Sequence, residues 1–328
     1  CSSDLIAFPV MMSILIEQLI NITDALFLGH VGDVELGASA LAGIWFLAIY
    51  MLGFGFSLGL QVIIARRNGE QWYAETGKTF FQGLFFLLIL AVLLCMLSKI
   101  FSPVLLKHLI TSDDVYNAVI RYLDWRIWGL LFSFPFLALR SFLVGITQTK
   151  ALNMAAFTAV LVNIPLNWLL IFGFDMGISG AAIASSSAEM CSLAVLAAYM
   201  FRHIDKKAYG LYWRIDITVL KEVFSISVWS MLQFFTSVAI WFLFFVAIER
   251  LGETELAVSN IVRSVSALFS VIVNALAGVT GSLVSNLIGA GEKKQVFPLC
   301  HKIIRLGYAT GIPLITFALF FHQDRKST

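Results

Sequence analysis

The chain has 328 residues, 59% of them hydrophobic and 13% charged, with a formal net charge of +2 and a mean hydropathy of +0.89. An ordinary soluble domain carries about 25% charged residues, so this composition excludes a water-coated globule and requires lipid as the solvent for most of the outside. Disorder, a disulfide scaffold and a nucleic-acid binder are excluded as well, because Phe numbers 29, Cys 4 and the net charge is small.

Apolar segments of about 20 residues or more recur near 5–28, 37–65, 79–101, 122–146, 153–174, 177–201, 219–249, 256–288 and 302–321. They are too long for barrel strands, and a bilayer offers no water to free backbone groups, so all are expected to be helices. The fold class is an all-α polytopic membrane bundle of about nine spans. The chain enters its first apolar run by Leu5 without a basic leader or a small-residue cleavage site, which makes that run a retained span.

The first span carries Glu17, Asn21 and Asp24 at i, i+4 and i+7, with Gln18 beside them, a polar stripe on one face of a greasy helix. An ionisable group within a span costs about 2.5–3.5 kcal/mol on insertion scales, so Asp24 is either a functional group facing the interior or sits near enough to the outer end to reach water. Pro9 precedes it in the same helix. In the second span Gly53 to Gly59 reads as helix packing. Pro135 and Arg140 fall in the fourth.

The fifth span has Asn163 and Asn167 one turn apart, with Pro165 freeing a backbone carbonyl between them. The sixth opens on small residues from Gly177 to Ser187, which allow close approach and supply hydroxyls. Such Asn and Ser residues serve as interhelical glue or as ligands. A carboxylate with amide and hydroxyl oxygens is also a hard-oxygen set that suits a small cation, and a carboxyl in a dry site can alternate between protonated and charged forms. The same group can therefore take Na⁺ or H⁺. In the eighth span Ala277, Gly281, Ser285 and Gly289 form a small-residue stripe read as packing, and Pro313 interrupts the ninth. Glu189, Arg140 and Arg263 face the interior or snorkel. Cys1, Cys95, Cys191 and Cys300 have no metal spacing and read as small hydrophobes.

Basic residues collect in alternate loops: Arg66, Arg67 and Lys78, then Lys150, then Arg202, Lys206, Lys207, Arg214 and Lys221, then Lys293, Lys294, Lys302 and Arg305. The other loops hold only Lys99, Lys107, Arg121, Arg126 and Arg250, which places the amino end in the cytoplasm. A two-helix unit occurs twice. Val31-Gly32-Asp33-Val34-Glu35-Leu36 is matched by Leu251-Gly252-Glu253-Thr254-Glu255-Leu256, and each opens a long apolar run that ends in Gly-Glu, at 69–70 and at 291–292. An even number of spans separates the copies, so the repeat is parallel, and transporters commonly bind substrate between such halves.

The expected domains are an amino-terminal lobe of six helices at 1–201, a cytoplasmic linker at 202–218 and a partial second lobe of about three helices at 219–328. A full second copy needs three further spans after residue 321, so the chain is expected to be cut short at its carboxyl end, in the run from His322 to Thr328. No HExxH, no Walker-type loop and no Gly-x-Ser-x-Gly elbow is present, and the five histidines have no metal spacing; neither an enzyme nor a cofactor is expected, and transport would draw on an ion gradient.

The run Asn21-Ile22-Thr23-Asp24-Ala25-Leu26-Phe27-Leu28-Gly29-His30-Val31-Gly32, the segment from Val162-Asn163 through Asn167-Trp168 to Gly173, the Gly180-Ala181-Ala182-Ile183-Ala184-Ser185 segment and Gly289-Ala290-Gly291-Glu292 together resemble the multidrug and toxic compound extrusion family. The resemblance covers essentially the whole chain. It implies a cation-coupled antiporter of two six-helix lobes in a V, in the plasma or inner membrane, that expels bulky, cationic or amphiphilic organic compounds. It implies cation coupling at Asp24, with Asn163, Asn167 and Ser185 around it, and a bend of the first helix at Pro9; Glu17, Gln18 and Asn21, the rest of the polar stripe, are candidates for the substrate cavity.

Asn167 stands where some members have Asp, and Ser185 where they have Thr. The lost charge favours H⁺ over Na⁺ as the coupling ion. Some members also carry a Glu in the seventh helix, whereas Gln233, Thr236 and Ser237 supply none here. No obligate protein partner is signalled. Two other functions stay open: a flippase for lipid-linked oligosaccharide or another amphiphile, which needs several cavity Arg or Lys where only Arg140 and Arg263 are candidates, and a shortened membrane protein that does not transport.

Overall fold

A computed structural model describes residues 2–110, 112–213, 215–249 and 273–324, and among them every long regular element is a helix. In chain order these are α1 (Ser2–Val31), α2 (Asp33–Gly69), α3 (Tyr73–Leu109), α4 (Asp113–Arg126), α5 (Leu130–Gly145), α6 (Lys150–Trp168), α7 (Gly177–His203), α8 (Ile217–Glu249), α9 (Val273–Gly289) and α10 (Val296–Asp324). A 3-10 turn at Ile127–Gly129 joins α4 to α5, and a π turn at Leu169–Gly173 extends α6. Cys1, Arg214, Arg250, the second loop copy at 251–256, Arg263 and residues 325–328 lie outside the described residues, as do the side chains of Pro9, Glu17 and Pro313.

Six stretches among the described residues are long and apolar enough to cross a membrane: Asp33–Gly69, Tyr73–Leu109, Asp113–Gly145, Lys150–Gly173, Gly177–His203 and Ile217–Trp241. They coincide with the second to seventh expected spans. The first and ninth are the helices α1 and α10, of 30 and 29 residues, and the eighth is described only as α9. The outer face of α3 presents Ile89, Met96, Ile100 and Val104, each more than half exposed, the surface that hydrocarbon requires.

The fourth span starts earlier than its apolar run. Ser112 caps α4 by accepting from the Val115 N–H, and Asp113 and Asp114 sit in the first turn, where the helix dipole favours negative charge. Ala118, Val119, Tyr122 and Leu123 bury the face that packs inward. Arg121 and Arg126, expected in a connecting loop, are therefore helical.

The long helix α2 is the spine of the bundle. It packs along α8 and also against α3, α4 and α5. Its glycines are what let the neighbours approach: the Phe134 ring of α5 lies over Gly53, a Cβ on Gly55 would fall 2.6 Å from Met231 Cα, and one on Gly59 would fall 2.7 Å from Ser227 Cα. In α9 the expected stripe packs only in its second half, where Ser285 is buried and a Cβ on Gly289 would run into the Arg66 backbone carbonyl. Ala277 is exposed and nothing lies within 4 Å of a Cβ on Gly281, while Ala275, Val279 and Ser282 are buried. The hydrogen bonds rotate it so, because Ser282 donates to the Val144 carbonyl (3.0 Å) and Asn286 to that of Gly145 (2.9 Å).

At the end of the bundle that carries the basic loops, Asn68 of α2 donates to the Asn286 carboxamide of α9 (2.7 Å), Arg67 pairs with Glu222 of α8 (2.7 Å), and Lys78 of α3 pairs with Asp216 (2.7 Å). The segment between α7 and α8 is docked there too, with Tyr209 against Tyr73 and Phe142, and Trp213 against Phe81 and Phe85.

Candidate functional site

Three helices bring four polar side chains into one closed ring. α1 lies along α6, and α6 along α7, so Asp24 faces residues far from it in sequence. Asn167, fully buried, donates through its Nδ2 to Asp24 Oδ1 and also to Asn163 Oδ1 (3.0 Å). Asn163, equally buried, donates to Ser185 Oγ (3.3 Å), and Ser185 closes the circuit by donating to Asp24 Oδ2 (2.9 Å).

Local chemistry sets this geometry. A spacing of four residues puts Asn163 and Asn167 above one another on α6. Beyond them the helix widens into the π turn at Leu169–Gly173, a form frequent at functional sites. α7 begins hard against that turn: a Cβ on Gly180 would fall 2.9 Å from the Leu170 carbonyl carbon and 3.1 Å from the Ile171 nitrogen. Only glycine fits there without a shift, and Ser185 follows just over one turn later, on the ring. Leu28, Ile171, Ile178, Ala181 and Ala182 pack the end of the bundle beside it.

Both oxygens of the Asp24 carboxylate accept a hydrogen bond, a set of donors that stabilises its charge, while its withdrawal from water penalises that charge. Such a carboxylate is poised to gain from neutralisation by a proton or a small cation. Asn167 Oδ1 is a buried acceptor with no hydrogen-bond donor among the described residues, a further oxygen for a cation at this point. No cluster of three or more His, Cys, Asp or Glu occurs among the described residues.

The structure thus brings Asp24, Asn163, Asn167 and Ser185, expected from the sequence as candidates, into mutual hydrogen-bond contact. Gln18 and Asn21 are bonded to each other outside the ring, Asn21 donating to Gln18 Oε1 (3.2 Å) on an exposed stretch of α1. Glu17 and Pro9 belong to α1, which runs through both positions, and their side chains lie outside the described residues. Ser237 bonds back to the Gln233 carbonyl (2.8 Å) on the exposed side of α8. The Arg140 guanidinium lies 5.8 Å from the Phe54 ring centre.

What the sequence reading missed is beside the ring. Arg126 of α4 donates to both Glu189 oxygens (3.0 and 2.6 Å), its guanidinium carbon 3.8 Å from the centre of the Phe46 ring. The signal was available: Arg126 counts as an intramembrane charge as soon as Ser112-Asp113-Asp114 is recognised as the helix start.

Comparison with known proteins agrees with the architecture. The MatE family model matches residues 9–169 and 230–324. A probable multidrug resistance protein NorM of Rhizobium meliloti (strain 1021) is 24% identical over 323 residues, covering 96% of this chain and 69% of its own length. A probable multidrug resistance protein NorM of Shewanella oneidensis is 26% identical over 273 residues, with 80% and 59% covered. Among solved structures, the outward-facing conformation of a multidrug resistance MATE family transporter of the MOP superfamily superimposes with a TM-score of 0.90 at 19% identity, over 96% of this chain and 71% of that one. The chain spans about two thirds of the length of the curated relatives it matches.

Proposed function

The chain belongs to the MatE family of polytopic membrane transporters, and from that premise we propose that it acts in cation-coupled antiport of bulky organic compounds out of the cell, with Asp24 as the coupling group. The observation that carries this reading is the shared hold on one half-buried carboxylate: α1 supplies the charge, and α6 and α7 supply its donors. Neutralising Asp24 weakens both bonds at once, so cation binding changes how α1 seats against its neighbours. A ligand shifts a conformational equilibrium only by binding one state better than the other, and a ring that tightens or loosens with the charge of Asp24 provides that difference.

We favour H⁺ as the coupling ion. The ring holds a single carboxylate, with Asn167 and Ser185 offering it N–H and O–H donors, and hard cations such as Na⁺ bind more tightly as ligand charge rises. In this reading the first helix bends at Pro9, Glu17, Gln18 and Asn21 face the substrate, residues 1–201 form the amino-terminal lobe, 202–218 the cytoplasmic linker, and the amino end lies in the cytoplasm.

The test is efflux of a fluorescent organic cation from liposomes under an imposed pH gradient and, separately, a Na⁺ gradient. Asp24→Asn keeps the shape of the side chain and removes its charge, and is expected to cut gradient-driven efflux at least tenfold while the protein remains membrane-inserted. Undiminished efflux by that variant would falsify the assignment.

A further inference from the structure

Next to the Asp24 ring stands a charged pair that the coupling step just described leaves unused. Arg126 and Glu189 join α4 to α7 by two hydrogen bonds of 3.0 and 2.6 Å, with side chains only 12% and 25% exposed. The site is built for them: a Cβ on Gly129 would fall 2.7 Å from Glu189 Oε2 and 3.0 Å from Ser186 Oγ, so the glycine of the 3-10 turn clears the space the pair occupies. Glu189 lies one turn beyond Ser185 on α7, on the face whose hydroxyl holds Asp24. The charge of Arg126 acts on Asp24 and on Tyr122.

We infer that the Arg126–Glu189 pair is a fixed counter-charge for the Asp24 pocket: Glu189, without touching the coupling ion, keeps Arg126 from neutralising Asp24. This inference rests on the reading of Asp24 as the coupling group. Two carboxylates and one guanidinium give the pocket one net negative charge, which a single monovalent cation cancels. In a medium of low dielectric a guanidinium deprived of its carboxylate acts unopposed on the other carboxylate that feels its charge, Asp24. Asp24 would then already be compensated and would have little to gain from a cation. Removing Arg126 instead leaves Glu189, one turn along α7 from the hydroxyl that holds Asp24, and Asp24 itself as two carboxylates with no counter-charge between them, which favours the uptake of an extra proton.

The other groups facing the pair leave this balance unchanged. Tyr122 lies on α4 itself, and α3 presents the Cys95 thiol, which donates to the Ile127 carbonyl (3.1 Å), together with Lys99, which is paired to Asp124 (2.5 Å). α6 contributes the neutral Asn163 and Asn167, and α2 the ring of Phe46. The Arg140 guanidinium of α5 lies over Phe54, two turns further along α2.

The experiment is ethidium efflux from proteoliposomes under an imposed pH gradient, combined with a count of protons bound per chain, read with a pH indicator between pH 8 and pH 6. Glu189→Gln should lower gradient-driven efflux at least tenfold with Asp24 intact, and Glu189→Asp should keep most of it. The double variant R126Q/E189Q, which restores one net negative charge, should recover at least half of the original rate. Arg126→Gln alone should bind about one more proton per chain than the unaltered protein.

A double variant no better than Glu189→Gln, or a Glu189→Gln that transports normally, would overturn the inference. So would an unchanged proton count in Arg126→Gln, a measurement that still decides if Glu189→Gln fails to insert. Asp24→Asn is run alongside. If it is inactive while Glu189→Gln is normal, only the counter-charge idea falls; if Asp24→Asn is active, both readings fall.

Discussion

Gly129 shows how one backbone position controls a charged centre. Its missing side chain leaves room for the Arg126–Glu189 pair between α4 and α7, and Gly129→Ala pushes a methyl group into both partners. The atoms it meets are the far ends of flexible side chains, so the cost falls at the low end of the range of about 1–3 kcal/mol for overpacking and should appear as a small lowering of the thermal transition in detergent. Arg126→Ala should cost more, about 3–5 kcal/mol, because it leaves the half-buried Glu189 carboxylate without its partner. A thermal shift for Arg126→Ala no larger than that for Gly129→Ala would contradict this account. Asp24, Asn163, Asn167 and Ser185 obey the same rule at smaller scale, since every donor in their ring has an acceptor and only Asn167 Oδ1 is left over.

At the scale of the element, the register of α7 against the end of α6 decides whether the ring closes. Gly180 lets α7 start against the π turn, so Gly180→Val should displace the first turns of α7 and carry Ser185 away from Asp24. The expected result is a coupling defect out of proportion to any loss of folded protein: efflux down at least tenfold under a pH gradient, with membrane insertion retained. Normal efflux from well-inserted Gly180→Val would mean that the helix ends do not set the site. Much of this element was readable beforehand, because the pair of Asn one turn apart and the run of small residues are local patterns. The start of α4 was not read, because its first turns are amphipathic and fall below any apolar-run criterion; that misplaced Arg126 in a loop. The tight face of α9 was read rightly at Ser285 and Gly289 and wrongly at Ala277 and Gly281. Small residues mark a face that is able to pack, but the bonds of Ser282 and Asn286 to α5 determine which face does so.

Across the whole molecule, the contacts between the first seven helices and the α8–α9 pair run from the edge-to-face rings of Phe54 and Phe234 to the Asn68–Asn286 bond at the basic end. If the protein alternates its access, this seam must open. Cysteines placed at 68 and 286 and joined by a short bifunctional reagent should stop turnover, and reducible linkage should make the block reversible; continued transport by the cross-linked protein would exclude opening at that seam.

The same end carries a pH-dependent attachment. Lys78, with the Val219 and Thr218 N–H groups, holds the Asp216 carboxyl below its ordinary value. A lowered folded value means that the attachment is at full strength above the usual carboxylate pKa of about 4 and is lost as pH falls through the lower folded value. Hydrogen exchange at 206–216, corrected for intrinsic rates, should therefore accelerate only at acid pH, and in Asp216→Asn should be fast throughout.

Composition and hydropathy alone determined that this protein lives in a bilayer as a bundle of helices, because the cost of an unbonded backbone group in hydrocarbon leaves few other solutions. Periodicity within single helices, together with motif resemblance, was enough to find Asp24, Asn163, Asn167 and Ser185, whose polarity inside greasy spans marks them out. The tertiary structure alone decided that Arg126 and Glu189 stand beside that ring, that Gly129 makes room for them, and which face of α9 meets α5. These relations join residues far apart in the chain and depend on how each helix is rotated about its axis, and the helices they join set that rotation jointly when they pack.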